Sequence, residues 1–312
     1  MHPNYSVKTP KILYIDRYGY MYPDCKTYKT PSIAHITEFD CFEKVISFIF
    51  ESNEEKVFNM ITVEVSSLCH AKCLYCFQED GHRGEKYKFF DELMVFLEKA
   101  KTYWLFFSGG EILDQLDAMN FIKEYKIKNP NTWVHLKTNG NANLDKLVFV
   151  NNFCNSIMVS FNGFTTSSCD ILMNVELSKT VKFCEEIVKN GKTNLCVKFL
   201  NSPVCINEIP DFLEWSISIR AKAIAFQTVY QYNYSDGKCN RESHMFDNLN
   251  SEYWNGICSR IAFKVDNLLE KNKAIINTDV CNIATDKVLF DLLKISDEHK
   301  EMFRTDGVYI IE

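Results

Sequence analysis

The feature that most constrains the fold is a regular alternation of strand and helix patterns between about residues 60 and 230. Each short apolar or alternating run is followed by a segment whose apolar residues recur at helical spacing. The strand patterns number six and cover residues 61–66, 104–107, 133–138, 157–161, 195–200 and 223–227. Alternating units predict a parallel sheet with helices outside it. Six units are too few to close an eight-stranded barrel.

A group of cysteines follows the first of these strands. Cys69, Cys73 and Cys76 have the spacing CxxxCxxC. Three thiolates this close on one loop can hold three irons of a 4Fe–4S cube, and the fourth iron then has no protein ligand. Clusters that only transfer electrons normally have four cysteine ligands. The spacing therefore indicates an iron that is open to a small molecule.

The second motif lies at the end of the next strand, where Ser108 is followed by Gly109, Gly110 and Glu111. Two glycines allow a backbone to turn sharply and to approach a ligand closely. The carboxylate that follows can accept hydrogen bonds from an ammonium group.

In this order and on these elements, the two motifs resemble the radical SAM superfamily of enzymes. The resemblance implies a six-unit partial barrel with one 4Fe–4S cluster, whose open iron binds S-adenosylmethionine (SAM), and it implies that Gly109, Gly110 and Glu111 contact the SAM amino group. It also implies an oxygen-sensitive enzyme and a one-electron donor such as flavodoxin or ferredoxin. In such enzymes reductive cleavage of SAM yields a 5′-deoxyadenosyl radical that abstracts hydrogen from the substrate.

The same resemblance implies further contacts with SAM. Tyr75 stands where the family has an aromatic residue near the adenine, and packing is an equally good explanation of it. Thr138 and Asn139 match a common Thr-Asn-Gly strand end. Ser160 and Asn162, in Ser-Phe-Asn-Gly, resemble the Ser-Leu-Asp-Gly segment of peptide-modifying members, with asparagine in place of aspartate.

Peptide-modifying members often carry an arginine downstream of that segment, which pairs with the SAM carboxylate. Residues 164–179 contain no arginine. Lys137 and Lys198, near the ends of two strands, are candidates to replace it. Solvated or outward-facing side chains are the alternative interpretation, because lysines are mostly exposed.

Other cysteine chemistry is open at this stage. A structural zinc site needs four ligands, and His70 can serve as the fourth only by folding back beside Cys69. Cys73 and Cys76 alone have the spacing of a redox pair, which leaves Cys69 unexplained. A non-catalytic iron–sulfur or zinc protein with the same fold is a further alternative.

The alternation divides the chain into three predicted regions. Residues 1–59 form an N-terminal addition with a hairpin and a helix over about 38–50, and residues 60–230 form the barrel. A mainly helical extension over 231–312 begins with a polar loop at 233–238. Its three cysteines lack the dense spacing that auxiliary clusters have in peptide-modifying members. Ordinary thiols are therefore favoured over a second cluster at Cys239, Cys258 and Cys281.

Composition narrows the partners. The chain has 312 residues and a net charge of −6, which argues against a nucleic-acid binder. Its 13 cysteines, with no apolar signal segment near residue 1 and no run as long as a membrane span, predict a cytoplasmic protein with reduced thiols and no membrane partner.

The substrate is predicted less sharply. The Ser-Phe-Asn-Gly segment and the Val-Glu-Val-Ser-Ser-Leu-Cys lead-in favour a peptide or protein side chain. The alternative is a small metabolite such as a sugar or nucleotide. The sequence identifies no catalytic residue beyond the groups that hold the cofactors.

Overall fold

The computed structural model describes residues 12–15, 21–23, 57–66, 68–76, 90–228, 230–235, 238–244, 252–278, 282–285, 287–293, 295–300 and 302–304. The strands are β1 (Ile12–Ile15), β2 (Met21–Pro23), β3 (Val57–Glu64), β4 (Lys101–Ser108), β5 (Trp133–Thr138), β6 (Ser156–Phe161), β7 (Asn194–Asn201), β8 (Ala223–Thr228), β9 (Tyr230–Ser235), β10 (Lys238–His244), β11 (Asn282–Thr285) and β12 (Phe303–Arg304). The helices are α1 (Phe90–Lys99), α2 (Leu116–Lys128), α3 (Leu147–Phe153), α4 (Thr166–Met173), α5 (Leu177–Asn190), α6 (Ile209–Ser218), α7 (Glu252–Thr278), α8 (Lys287–Leu293) and α9 (Asp297–Lys300).

The predicted partial barrel is confirmed. Strands β3 to β8 lie side by side in chain order, and each pairs in parallel with the next. The sheet continues past both ends of this set, in the order β12-β11-β8-β7-β6-β5-β4-β3-β1-β2, and it does not close on itself. Each strand from β3 to β7 is followed by at least one described helix, as right-handed crossovers between parallel strands require.

The two faces of the sheet differ in character. The outer face is apolar and packs against the helices, with residues such as Ile61, Leu105, Leu136, Val159 and Val197 fully buried in one core cluster. Since side chains alternate along a strand, the residues between them point to the opposite face. That inner face carries polar groups, which are Ser108, His135, Lys137, Ser160 and Lys198.

The N-terminal hairpin is also found. β1 and β2 pair antiparallel, with Leu13 opposite Pro23, and β1 pairs in parallel with β3. The hairpin thus extends the barrel sheet, a pairing that its local pattern cannot reveal. The helix predicted over 38–50 lies outside the described residues.

The C-terminal region contains more strand than the sequence patterns predict. Strands β9 and β10 form an antiparallel hairpin where a loop is predicted over 233–238, and β11 adds in parallel to β8. Helix α7 is longer than the predicted span of 260–269, and α8 lies where a helix is predicted over 288–295. Within the described part of the chain, no helix is long and apolar enough to cross a membrane.

Candidate functional site

Four polar segments meet at one edge of the sheet. The cysteine loop follows β3, Gly109 begins the turn after β4, Asn139 follows β5 and Asn162 follows β6. Because β3 to β6 are parallel, these segments all lie at the carboxyl ends of the strands. Ligands of barrels and open α/β sheets bind at that edge.

Backbone contacts attach the cysteine loop to the glycine turn. The Gly110 amide donates to the Ser66 carbonyl over 2.5 Å, and the Glu111 amide donates to the Leu68 carbonyl over 2.8 Å. A Cβ on Gly110 would lie 1.9 Å from the Leu68 oxygen. Gly109 has a φ of +129°, a region that L side chains rarely adopt. The two glycines are thus required for the turn to pack against the cysteine loop.

The other side of the cysteine loop rests on helix α4, which the sequence patterns missed. The Lys72 amide donates to the Met173 carbonyl over 2.8 Å, and the Leu74 amide donates to the Leu172 carbonyl over 2.9 Å. Carbonyls in the last turn of a helix have no partner within it, so they are available to the loop. A capping box between Thr165 and Ser168 marks the start of α4.

The three loop thiols lie within electrostatic range of one another. Burial raises the pKa of Cys69 to about 11 and the pKa of Cys73 to about 12. For Cys73, the next largest causes are the charges of Cys69 and Cys76. Thiolates that repel one another in a partly buried loop favour a bound metal cation.

The spread of the sulfurs helps to distinguish a single ion from a cluster. Tetrahedral zinc, with Zn–S bonds of about 2.3 Å, holds its sulfurs about 3.8 Å apart. Among the described residues, only Glu270, Glu298 and His299 bring three ligand atoms within 4.8 Å of one another, so at least two of the three loop sulfurs lie farther apart than that. Wider spacing fits thiolates bound to different irons of a cluster better than three ligands of one ion.

Glu111 links the ends of β4 and β5. Its buried carboxylate accepts three hydrogen bonds: from the Thr138 hydroxyl over 2.6 Å, from the Asn139 backbone N–H over 2.8 Å and from the Leu113 backbone N–H over 3.1 Å. Burial raises the pKa of Glu111, and these three donors oppose that rise. A carboxylate has about four acceptor positions, so one is left for a further donor.

Asn139 connects this carboxylate to the cluster loop. Its side-chain nitrogen lies 3.8 Å from the Cys69 sulfur and 3.4 Å from Nε2 of His70. The other ring nitrogen of His70, Nδ1, lies 2.5 Å from the Asp114 carboxylate. Nδ1 of His70 thus contacts Asp114, and no set of three ligand atoms within 4.8 Å of one another, among the described residues, combines His70 with the loop cysteines. The zinc alternative therefore lacks its expected fourth ligand in this arrangement.

Ser160 and Asn162 lie at the end of β6. Ser160 is half-buried on the inner face and pairs in register with Lys198 on β7. Asn162 is buried, and its backbone N–H donates to the Met173 sulfur over 3.2 Å. The side-chain oxygen of Asn162 has no hydrogen-bond partner among the described residues, so it is available to a ligand.

Tyr75 reaches from the cysteine loop to the end of β7, where it forms a hydrogen bond with Ser202. Burial raises the pKa of the Tyr75 hydroxyl, and the hydrogen bond opposes this. Its ring packs against the apolar core. The structure thus gives Tyr75 a packing role, and its contact with adenine stays a prediction.

The lysines considered for the SAM carboxylate share the inner face. Lys137 is exposed at the inner face. The surrounding protein removes water from part of its side chain, and this desolvation lowers the pKa of the Lys137 amine. His135 lies two residues earlier on the same face; burial first, then Lys137, lowers its pKa to about 3. Nδ1 of His135 lies 2.7 Å from the Ser156 hydroxyl oxygen, and no described residue pairs with its Nε2. Lys137 and Lys198 therefore face the interior of the partial barrel.

The structure describes the side chain of one of the three cysteines considered for a second cluster. Cys258 is a residue of α7; it is 3% exposed and packs in the main apolar core. Cys281 and the side chain of Cys239 lie outside the described residues.

Comparison with protein families identifies the domain to which this edge of the sheet belongs. Residues 63–213 match the model of the Radical SAM superfamily, a span that holds the end of β3, the cysteine loop, the glycine turn and β4 to β7. These residues form a radical SAM domain.

The chain matches only part of the length of the known proteins to which it is similar. The domain is similar to a 7-carboxy-7-deazaguanine synthase of Thermoplasma acidophilum, with 32% identity over 84 residues, which are 27% of this chain and 39% of that protein. It is also similar to the solved structure of Streptococcus suis SuiB bound to precursor peptide SuiA, with a TM-score of 0.54 and 16% identity. That alignment covers 80% of this chain and 54% of SuiB.

A third similar protein is anSMEcpe, whose solved structure has bound AdoMet. Its TM-score is 0.53 at 16% identity, and the alignment covers 73% of this chain and 63% of anSMEcpe. At this level of identity, both solved structures establish a shared fold for the radical SAM domain.

Proposed function

We propose that the chain is a radical SAM enzyme in which Cys69, Cys73 and Cys76 hold one 4Fe–4S cluster. The observation that carries the proposal is the cysteine loop itself. It presents three interacting thiols, whose sulfurs do not all lie within 4.8 Å of one another, at the carboxyl edge of a radical SAM domain. Reductive cleavage of SAM at that cluster supplies methionine and a 5′-deoxyadenosyl radical, which abstracts hydrogen from the substrate.

The protein's own groups position SAM. Gly109 and Gly110 bring the backbone against the cysteine loop, and Glu111 keeps the ends of β4 and β5 together with one acceptor position left for the SAM amino group. Thr138 and Asn139 complete that corner, and Tyr75 contacts the adenine.

The SAM carboxylate needs donors on the inner face. Ser160 supplies a hydroxyl there, and Asn162 supplies a side-chain oxygen without a partner among the described residues for a hydroxyl or amine of the ligand. Lys137 and Lys198 are the amines of this face, and we assign the missing arginine's role to this pair. A charge-assisted hydrogen bond from lysine is about twice as strong as a neutral one.

For the substrate we propose a peptide or protein side chain. Two solved structures with this fold support it, since SuiB is bound to its precursor peptide SuiA and anSMEcpe to the Cp18Cys peptide. The relative 7-carboxy-7-deazaguanine synthase favours the second candidate, a small metabolite of the nucleotide or sugar class. In either case we propose that residues 60–230 act as the catalytic barrel, with 1–59 and 231–312 as additions.

The decisive experiment is anaerobic. The protein is reconstituted with iron and sulfide, SAM and dithionite are added, and 5′-deoxyadenosine is measured. About four irons per chain and formation of 5′-deoxyadenosine are expected, given a single cube of four irons. A full, reducible cluster whose spectrum does not change with SAM would contradict the proposal and favour a non-catalytic iron–sulfur protein.

The substrate class is tested with the same assay. Fractionated peptides and a pool of nucleosides and sugars are added separately, and the yield of 5′-deoxyadenosine above the substrate-free rate is compared. Stimulation by the peptide fraction supports the first candidate, and stimulation by the small-molecule pool alone supports the second.

A further inference from the structure

A second feature of the cluster edge is a solvent-open cavity of about 240 Å³ beside the cysteine loop. It lies between the segments that follow β4 and β5 and the first turn of α5, and its lining residues are His70, Leu113, Asp114, Asn141, Ala142, Asn143, Lys146 and Lys179. None of the inner-face residues proposed for SAM lines it. The cavity is therefore distinct from the interior of the barrel.

The cavity has an excess of positive charge. The ammonium groups of Lys146 and Lys179 make no hydrogen bond or ion pair with any described residue. The one carboxylate of the lining, Asp114, is already engaged by His70 at 2.5 Å. Helix α5 begins beside the cavity, and its amino end adds a positive partial charge that Glu176, the residue before the helix, offsets in part.

This charge contrasts with the chain as a whole, which has a net charge of −6. An acidic partner is attracted to this patch although the chain as a whole is negative, which orients its approach. Leu144, next to Asn143 on the rim, exposes 39% of its surface and adds an apolar contact of the kind that interface centres use.

The cavity is also close to the proposed cluster. The side-chain nitrogen of Asn139 lies 3.4 Å from Nε2 of His70, a lining residue, and 3.8 Å from the Cys69 sulfur. One side chain thus separates the cavity wall from a proposed iron ligand.

We infer that this cavity and its rim form the docking surface for a small acidic one-electron carrier protein of the flavodoxin or ferredoxin class. The inference rests on the proposed function, because it requires a cluster at the cysteine loop. One electron passes from the reduced carrier to the oxidised cluster. The carrier is oxidised by one electron, the cluster is reduced by one, and no bond forms or breaks.

The test uses the double charge reversal Lys146→Glu with Lys179→Glu, and the milder pair Lys146→Gln with Lys179→Gln guards against misfolding. Lys264→Glu, on the exposed side of α7, is the matched control because its side chain is exposed and also unpaired among the described residues. For each reconstituted protein, the Kd for flavodoxin and for ferredoxin is measured by calorimetry at low and high salt. The rate of cluster reduction is followed by absorbance and electron paramagnetic resonance.

For the charge reversal we expect a Kd for the carrier at least tenfold higher and carrier-driven reduction at least tenfold slower. The Gln pair shows a smaller change in the same direction, and Lys264→Glu shows none. Binding of the unchanged protein weakens with salt, and the Glu pair loses that dependence. Reduction by dithionite, a small molecule that needs no docking surface, is unchanged in all variants.

Two results would overturn the inference. One is a carrier Kd and reduction rate that do not change in the Glu pair. The other is a large loss of SAM affinity in the Gln pair, which would make the cavity a binding site for an anionic part of SAM. Failure of the proposed function is distinguishable from both, because the unchanged protein would then assemble no cluster that dithionite reduces.

Discussion

Two groups of cysteines in this chain have similar proton affinities for different reasons. Burial is the largest cause that raises the pKa of Cys154, in the core, to about 12, and Lys126 opposes it. Burial also raises the pKa of Cys73, in the loop, to about 12, but the charges of Cys69 and Cys76 add to it. A cation bound among the loop thiols would reverse that second cause, whereas the charge that acts on the core thiol Cys154 is already that of a cation, Lys126. The difference lies in the neighbours and not in the thiol.

The two groups are also held differently. Core cysteines such as Cys184, on α5, are immobilised by side-chain packing in the main apolar cluster. The loop is held by backbone hydrogen bonds to the glycine turn on one side and to the end of α4 on the other. Side-chain changes should therefore affect the core group through stability and the loop group through chemistry.

The largest effect is expected for Cys73→Ala. Loss of one of three iron ligands should abolish the cluster and with it the formation of 5′-deoxyadenosine. Iron per chain and 5′-deoxyadenosine are measured after reconstitution, with Cys184→Ala as the matched control. Full activity in Cys73→Ala, or equal loss in both variants, would remove the distinction between the two groups.

The next effect tests the backbone support of the loop. In Gly110→Ala the new Cβ would lie 1.9 Å from the Leu68 carbonyl oxygen, so the loop must move. We expect at least a tenfold loss of iron uptake and of SAM cleavage. Gly256→Ala is the control, because no atom beyond the adjacent backbone of its own helix lies within 4 Å of a Cβ there, and alanine favours a helix by about 1 kcal/mol. Normal iron uptake in Gly110→Ala would show that the glycine turn does not support the loop.

A smaller effect is expected for Glu111→Gln. The side-chain NH2 of the glutamine would face the three groups that donate to the Glu111 carboxylate. This should lower the free energy of unfolding by about 1–3 kcal/mol and weaken SAM binding about tenfold. Glu111→Ala should also weaken SAM binding and leave iron in place. SAM affinity is measured by calorimetry and stability by urea unfolding. An unchanged SAM affinity in both variants would limit Glu111 to a structural role.

The smallest effect is expected for the core group. Cys184→Ala removes one buried sulfur and should lower the free energy of unfolding by about 1 kcal/mol, the scale of one buried methylene. SAM cleavage, iron content and cluster spectrum stay unchanged. A loss of iron in this variant would mean that the core cysteines take part in cluster assembly after all.

Some elements of the fold follow from local pattern. The predicted range 133–138 is that of β5, because a short run between Pro130 and Gly140 has few alternative conformations. Helix α5 ends at Asn190 because Gly191 adopts a φ of +64°. Strands β11 and β12 have four and two residues, too few for a pattern, and they form only because β8 offers an edge.

The amino-acid sequence by itself determined the βα alternation, the cysteine loop and the glycine turn, because strand period, helix period and ligand spacing are local properties of the chain. Only the tertiary structure decided that Glu111 joins two strands, that α4 supports the cysteine loop, and that Lys146 and Lys179 share a cavity beside His70. These arrangements join segments tens of residues apart, and only the packing of parallel strands and helices brings such segments together.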